Sequence, residues 1–148
     1  MFYIVQMSDF HFDGSPATEE QEILTRMANK IRQTIPANST VVFCVCGDYI
    51  DSSPITDKKG IHKITKAEAA ARYTTAKTIL EATIIDPLRS DYDLMIGMCV
   101  GNHDTTHLNE LNQFSQGIIG KSIDKTYSIH LGADNVDLVF VNSCPPDD

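Results

Sequence analysis

Val41-Val42-Phe43-Cys44-Val45-Cys46-Gly47-Asp48-Tyr49-Ile50-Asp51 sets the architecture of this chain. The run from Val41 to Cys46 is continuously apolar and rich in β-branched residues, as in a parallel strand covered on both faces. Gly47 breaks the run, and Asp48 and Asp51 follow it. A polar cluster therefore stands at the carboxyl end of a buried strand, where open parallel sheets bind their ligands.

Outward from this segment the same arrangement recurs on both sides. Phe2 to Met7 reads as a strand and runs into Asp9-Phe10-His11. Leu94 to Val100 reads as another and runs into Gly101-Asn102-His103-Asp104. Helical spacing fills the intervals. Ser15-Pro16 and the capping box Thr18-x-x-Gln21 open a helix carrying Ile23, Leu24, Met27, Ala28, Ile31 and Ile35, closed by Pro36. Asp51 to Ile64 reads as a polar loop. The capping box Thr65-x-x-Glu68 starts a second helix, with Tyr73, Ala76, Ile79, Leu80 and Ile84, that runs until Pro87. A shorter helix with Leu108, Leu111 and Phe114 closes near Gly117. Two strands, Thr126 to Leu131 and Val136 to Val141, flank the turn Gly132-Ala133-Asp134-Asn135. Strand–helix alternation implies an α/β fold with right-handed crossovers, a mainly parallel sheet and flanking helices. No repeat or linker divides the chain, so residues 1–148 are expected to be a single domain.

The three polar clusters carry the functional reading. Carboxylate, imidazole and amide oxygen suit divalent ions such as Mn²⁺, Fe or Zn²⁺. Asp9 and His11 lie two apart, so in extended backbone their side chains project to one side. Asp48 offers two carboxylate oxygens, the simplest bridge between two cations. Each cluster taken singly is more readily a turn or a helix cap. All three in this order, each after an apolar strand, are not readily assigned to turns.

In that order, Asp-x-His, Gly-Asp-x-x-Asp and Gly-Asn-His-Asp resemble the first three signatures of the calcineurin-like metallophosphoesterases. The resemblance implies the first half of that family's four-layer α/β/β/α sandwich. It implies hydrolysis of phosphomonoesters or phosphodiesters through two divalent metal ions. Asp9 and His11 would bind the first metal, Asp48 would bridge both, and Asn102 would bind the second. His103 would serve the leaving-group oxygen, Asp104 would orient it, and Asp51 would be an outer acceptor. Protein phosphatases of the superfamily resemble Gly-Asp-x-x-Asp-Arg and Gly-Asn-His-Glu. Ser52 and Asp104 stand at those positions here, which points instead to nucleotides, cyclic nucleotides, nucleic acids or small phosphate esters.

The family's later histidine and its Gly-His-x-His motif have no counterpart before Asp148. The resemblance therefore implies a partial domain, with an apolar sheet face open to self-association or to a missing C-terminal half. A second reading follows, that of an inactive, degenerate or truncated relative acting as a binding or assembly module. His62, His107 and His130 read as surface or packing residues, and the basic run Lys58, Lys59, His62, Lys63, Lys66 as a solvated loop.

Composition bounds the rest. The chain has 148 residues, 42% of them hydrophobic, with 12 basic and 20 acidic side chains for a net charge of −8. That balance opposes simple nucleic-acid binding through phosphate contacts. No apolar run approaches a membrane span, and no glycine-rich phosphate loop follows a strand. Cys44, Cys46, Cys99 and Cys144 form no CxxC pair and read as small buried hydrophobes in a reducing compartment, which makes the cytoplasm the expected location.

Overall fold

A computed structural model describes residues 1–14, 18–57, 60–132 and 135–141. Three strands, β1 (Phe2–Ser8), β2 (Thr40–Cys46) and β5 (Asp93–Cys99), form a parallel sheet in the order β1-β2-β5. Helix α1 (Thr18–Thr34) connects the first pair. The second crossover contains α2 (Lys66–Leu80), a π-helical turn at Glu81–Ile85 and α3 (Asp86–Arg89). Beyond β5 come a 3₁₀ segment (Asn102–His107), α4 (Leu108–Ile119) and the antiparallel pair β6 (Tyr127–Leu131) and β7 (Val136–Phe140).

Successive crossovers of one hand, stepping across the sheet in one direction, leave their helices on the same face. Val41, Phe43 and Val45 point to that face and pack with Leu24, Ile31, Tyr73, Leu80, Leu88 and Leu111 of the helices. Val42 and Cys44 point the other way and meet Leu131 and Phe140 of the β6–β7 hairpin. Both faces of β2 are thus covered, as its unbroken apolar run implies. Gly97 leaves room for Phe140, whose ring a Cβ at that position would strike. Ile4 remains 52% exposed beyond the hairpin's reach.

Three local differences from the sequence reading have physical causes. The interval from Asp51 to Ile64 is not wholly loop, because Ile55–Asp57 (β3) and Gly60–His62 (β4) pair as a short hairpin. Pro87 does not end the second helix. A proline lacks an N–H and crowds the carbonyl four residues back, and the wider π turn accommodates both. There the Asp86 N–H reaches the Glu81 carbonyl, and the chain continues helically to Arg89. Helix α4 passes through Gly117 and stops at Gly120, whose φ of 69° supplies the left-handed cap. The Thr65–Glu68 capping box forms, whereas the Ser15-Pro16 signal lies outside the described residues and nothing is described of the Thr18 side chain. Among the described residues no helix is long and apolar enough to cross a membrane.

Candidate metal centre

Register delivers the three polar clusters to one edge. Ser8 is aligned with Cys46, and Cys46 with Cys99, so the three strands end level. The loops after β1 and β2 stay laced together by His11 N–H to Asp48 O (2.9 Å), Phe12 N–H to Tyr49 O (3.1 Å) and Asp51 N–H to Phe12 O (3.0 Å). The loops after β2 and β5 touch through their glycines. A Cβ on Gly47 would come within 2.5 Å of Gly101, and one on Gly101 would strike the Asp48 backbone and carboxylate. Only residues without side chains permit this approach.

The backbone at the cradle is not extended. Asp9, His11 and Asp48 have φ of 60°, 49° and 52°, the left-handed region that costs a residue with a side chain about 1–3 kcal/mol. Alternation along a strand therefore does not explain how Asp9 and His11 meet. The fold holds each in an unfavourable conformation, and their functional atoms converge. His11 Nε2 lies 4.0 Å from Asp9 Oδ1 and 3.9 Å from Asp48 Oδ2. Ligand atoms of Asp9, His11 and Asp48 all fall within 4.8 Å of one another, and so do those of His11, Asp51 and His103. His11 belongs to both groups, and its ring meets that of His103 edge-on at 4.7 Å between centroids. Asn102 is exposed, and both of its neighbours adjoin Asp48: the His103 N–H donates to Asp48 Oδ1 (2.9 Å) while Gly101 packs against the same carboxylate. The donor set, carboxylates and imidazole around an open space, fits a hard-to-borderline divalent cation.

The Asp104 side chain points into the interior. Its carboxylate is fully buried and accepts hydrogen bonds from Tyr73 Oη (2.8 Å), Asp48 N (2.8 Å) and Gly101 N (3.0 Å). Those bonds brace the β2 and β5 loops against α2. The carboxylate beside the His103 ring is that of Asp51, with Oδ1 3.7 Å from Nδ1, and Ser52 Oγ lies 3.4 Å from the same nitrogen. Burial pushes the Asp104 carboxyl up to about 6, against the lowering effect of its hydrogen bonds. Asp51 moves the other way. Partial burial acts to raise it, but Ser53 hydrogen bonds and the nearby His103 and Arg72 bring it below the ordinary value.

The sequence reading assigned Tyr73 to the helix core and gave Arg72 no role. Tyr73 is core in its ring, but its hydroxyl holds Asp104; a phenol on an otherwise apolar helix face is the signal, because a buried hydroxyl must find a partner. The Arg72 Nη1 donates to the Asp51 carbonyl, clamping the second loop from α2. His107 is buried and His130 pairs with Asp137 across β6–β7 (2.8 Å), while the His62 ring contacts the Lys63 carbonyl (3.2 Å), so none of the three joins the described ligand groups. Lys58 and Lys59 lie outside the described residues.

The family model of the calcineurin-like phosphoesterases matches residues 2–142. The chain belongs to that family. No curated protein and no solved structure gives a match. As a calcineurin-like phosphoesterase, the chain belongs with metal-dependent hydrolases of phosphoester bonds, and its parallel sheet with helices packed on it agrees with that membership. The three strand tips are where this phosphoesterase concentrates residues able to hold a metal ion.

Proposed function

We propose that this phosphoesterase hydrolyses phosphomonoesters or phosphodiesters at the three strand tips, with Asp9, His11, Asp48 and Asn102 holding two divalent ions of Mn, Fe or Zn. The observation that carries the reading is the clustering of Asp9, His11 and Asp48 ligand atoms within 4.8 Å beside the His103 ring. Bound there, such ions supply Lewis acidity toward phosphoryl oxygens and ease the ionisation of water. The chain's own residues divide the remaining work. Asp48 uses Oδ1 to fix the His103 backbone and turns Oδ2 toward His11, so one carboxylate ties the ligand group to the proton donor. His103 presents Nδ1 to Asp51 and Ser52, which leaves Nε2 to hand a proton to the departing alkoxide. In the imidazolium form the ring pairs with the Asp51 carboxylate, so Asp51, rather than Asp104, is the residue that orients it. Asp104 acts at one remove, by holding the Asp48 and Gly101 amides in place.

Small phosphate esters, nucleotides and cyclic nucleotides are the substrate classes favoured by Ser52 and Asp104, which replace the protein-phosphatase arginine and glutamate. Exposed Ile4 on the sheet supports self-association through the hairpin side of the sheet, which sedimentation at micromolar concentration checks.

The test is hydrolysis of bis-p-nitrophenyl phosphate and p-nitrophenyl phosphate with added Mn²⁺. The wild type is expected to act only with metal, and His103→Ala to fall by about 10²-fold or more. Asp48→Ala is expected to lose activity altogether. Metal-independent hydrolysis, or activity unchanged in Asp48→Ala, overturns the proposal.

A further inference from the structure

Behind the strand tips, on the sheet face opposite the helices, lies a row of sulfur. Cys46 of β2 and Cys99 of β5 are directly opposed in the parallel register, and Cys44 stands one step back on the same face opposite Gly97. All three are free thiols, with Cys44 buried and the other two partly exposed beside the β6–β7 hairpin. Both Cys46 and Cys99 lie in the same small apolar cluster on this face. Met95 adds a thioether to the same face. Sequence spacing relates only Cys44 to Cys46; Cys99 enters through strand pairing.

We propose that Cys46 and Cys99 form a binding site for a thiophilic, low-coordinate d¹⁰ cation, Cu(I) being the physiological case, with Cys44 as a flanking sulfur. Two lines of geometry lead there. A thiolate–metal bond of about 2.3 Å, taken twice in line, spans roughly 4.6 Å, close to the ~4.8 Å between neighbouring strands. An ion between directly opposed cysteines therefore bridges β2 and β5 with little backbone movement. The donor set also selects the ion class. Zinc requires four ligands, and among the described residues neither candidate metal group contains a cysteine, so no histidine or carboxylate completes a tetrahedron around these thiols. Soft monovalent copper accepts sulfur alone. Binding is a simple exchange. Each thiol releases one proton as its sulfur bonds to the metal, giving a bis-thiolate complex and two protons, and no electron is transferred.

The site is separate from the phosphoesterase centre in chemistry and in location, although its two ligands lie just before Asp48 and Asn102. Its test is correspondingly independent of hydrolysis. The full chain, with no divalent metal added, is titrated anaerobically with Cu(I) against a chromophoric Cu(I) chelator. Uptake of one ion per chain is expected for wild type and for Cys144→Ser. Cys46→Ser and Cys99→Ser are expected to weaken binding by about 10–100-fold or more, the range already lost when an outer partner of a ligand is removed. Because a substitution in the sheet can disturb folding, unmodified chain is also alkylated with iodoacetamide before and after one equivalent of Cu(I), and the labelled sites are mapped by mass spectrometry. Protection of Cys46 and Cys99 supports the site. Full labelling of both in the copper-loaded chain, or equal affinity in folded Cys46→Ser, overturns it.

Discussion

The inner and outer walls of the strand-tip cradle are built on opposite principles. The inner wall, Asp48, Gly101, Asp104 and Tyr73, is buried and hydrogen-bonded throughout: one carboxylate takes up two backbone amides and a phenol, and the other a third amide. The outer wall, Asp9 and His11, is open to solvent, with side chains 66% and 38% exposed. Each sits at positive φ, as Asp48 does, but the Asp9 carboxylate accepts only from the Ser8 hydroxyl among the described contacts, whereas the Asp48 and Asp104 carboxylates hold backbone amides. The inner wall stabilises the chain by itself. The outer wall carries the same kind of strain without a buried side-chain network to offset it, so a bound cation would add the stabilisation it lacks. The two walls should therefore respond oppositely to mutation, and four experiments probe that difference.

The largest effect belongs to Gly101→Ala. The new Cβ strikes Asp48 backbone and side chain, which cannot both withdraw. Overpacking of this kind costs about 1–3 kcal/mol in a yielding core, and this site should reach or exceed the upper figure. Urea denaturation of the metal-free chain measures it. Wild-type stability in Gly101→Ala would mean that the loops do not touch.

The next effect is a pH slope. Burial raises the folded Asp104 carboxyl from 3.8 to about 6. Its contribution to stability is therefore complete below about pH 4 and lost as pH rises through 6. The loss is on the order of 2–3 kcal/mol. Asp104→Asn should remove this slope, so the stability difference between wild type and variant shifts against the wild type as pH climbs from 4 to 7. Parallel curves would contradict the burial argument.

Tyr73→Phe comes third. It withdraws a hydroxyl from a buried carboxylate, an interaction of the charged class worth about 1.5–3 kcal/mol. Its thermal midpoint should fall. Smallest, and opposite in sign, is Asp9→Gly. Glycine relieves the positive φ, so the metal-free chain should gain up to about 1 kcal/mol while metal-dependent hydrolysis falls. A loss of metal-free stability here would erase the distinction between the walls.

How much of this was legible in the sequence follows the same division. The buried strands were plain, because unbroken apolar runs have few alternative readings, and the edge they share followed from crossover geometry. Capping chemistry located the start of α2 for the same reason. What escaped depends on backbone conformation or on a partner distant in sequence. Nothing in Asp9-Phe10-His11 announces left-handed φ, so the convergence of Asp9 with His11 was expected for a different reason. The family resemblance implied Asp104 as the partner of His103, whereas its carboxylate bonds Tyr73 in the interior and Asp51, from the loop after β2, faces the ring. The β3–β4 hairpin, with strands of three residues, is too short for periodicity to reveal. The opposed pair Cys46 and Cys99 likewise exists only once β2 and β5 are in register.

Titration calorimetry with Mn²⁺ tests the strand-tip centre most directly, comparing wild type, Asp48→Asn and Asp104→Asn. Asp48 contributes its carboxylate to the cradle, whereas Asp104 faces the interior. Asp48→Asn should therefore weaken Mn²⁺ binding by about tenfold or more, with Asp104→Asn affected less. Equal Mn²⁺ affinity in wild type and Asp48→Asn would contradict the account.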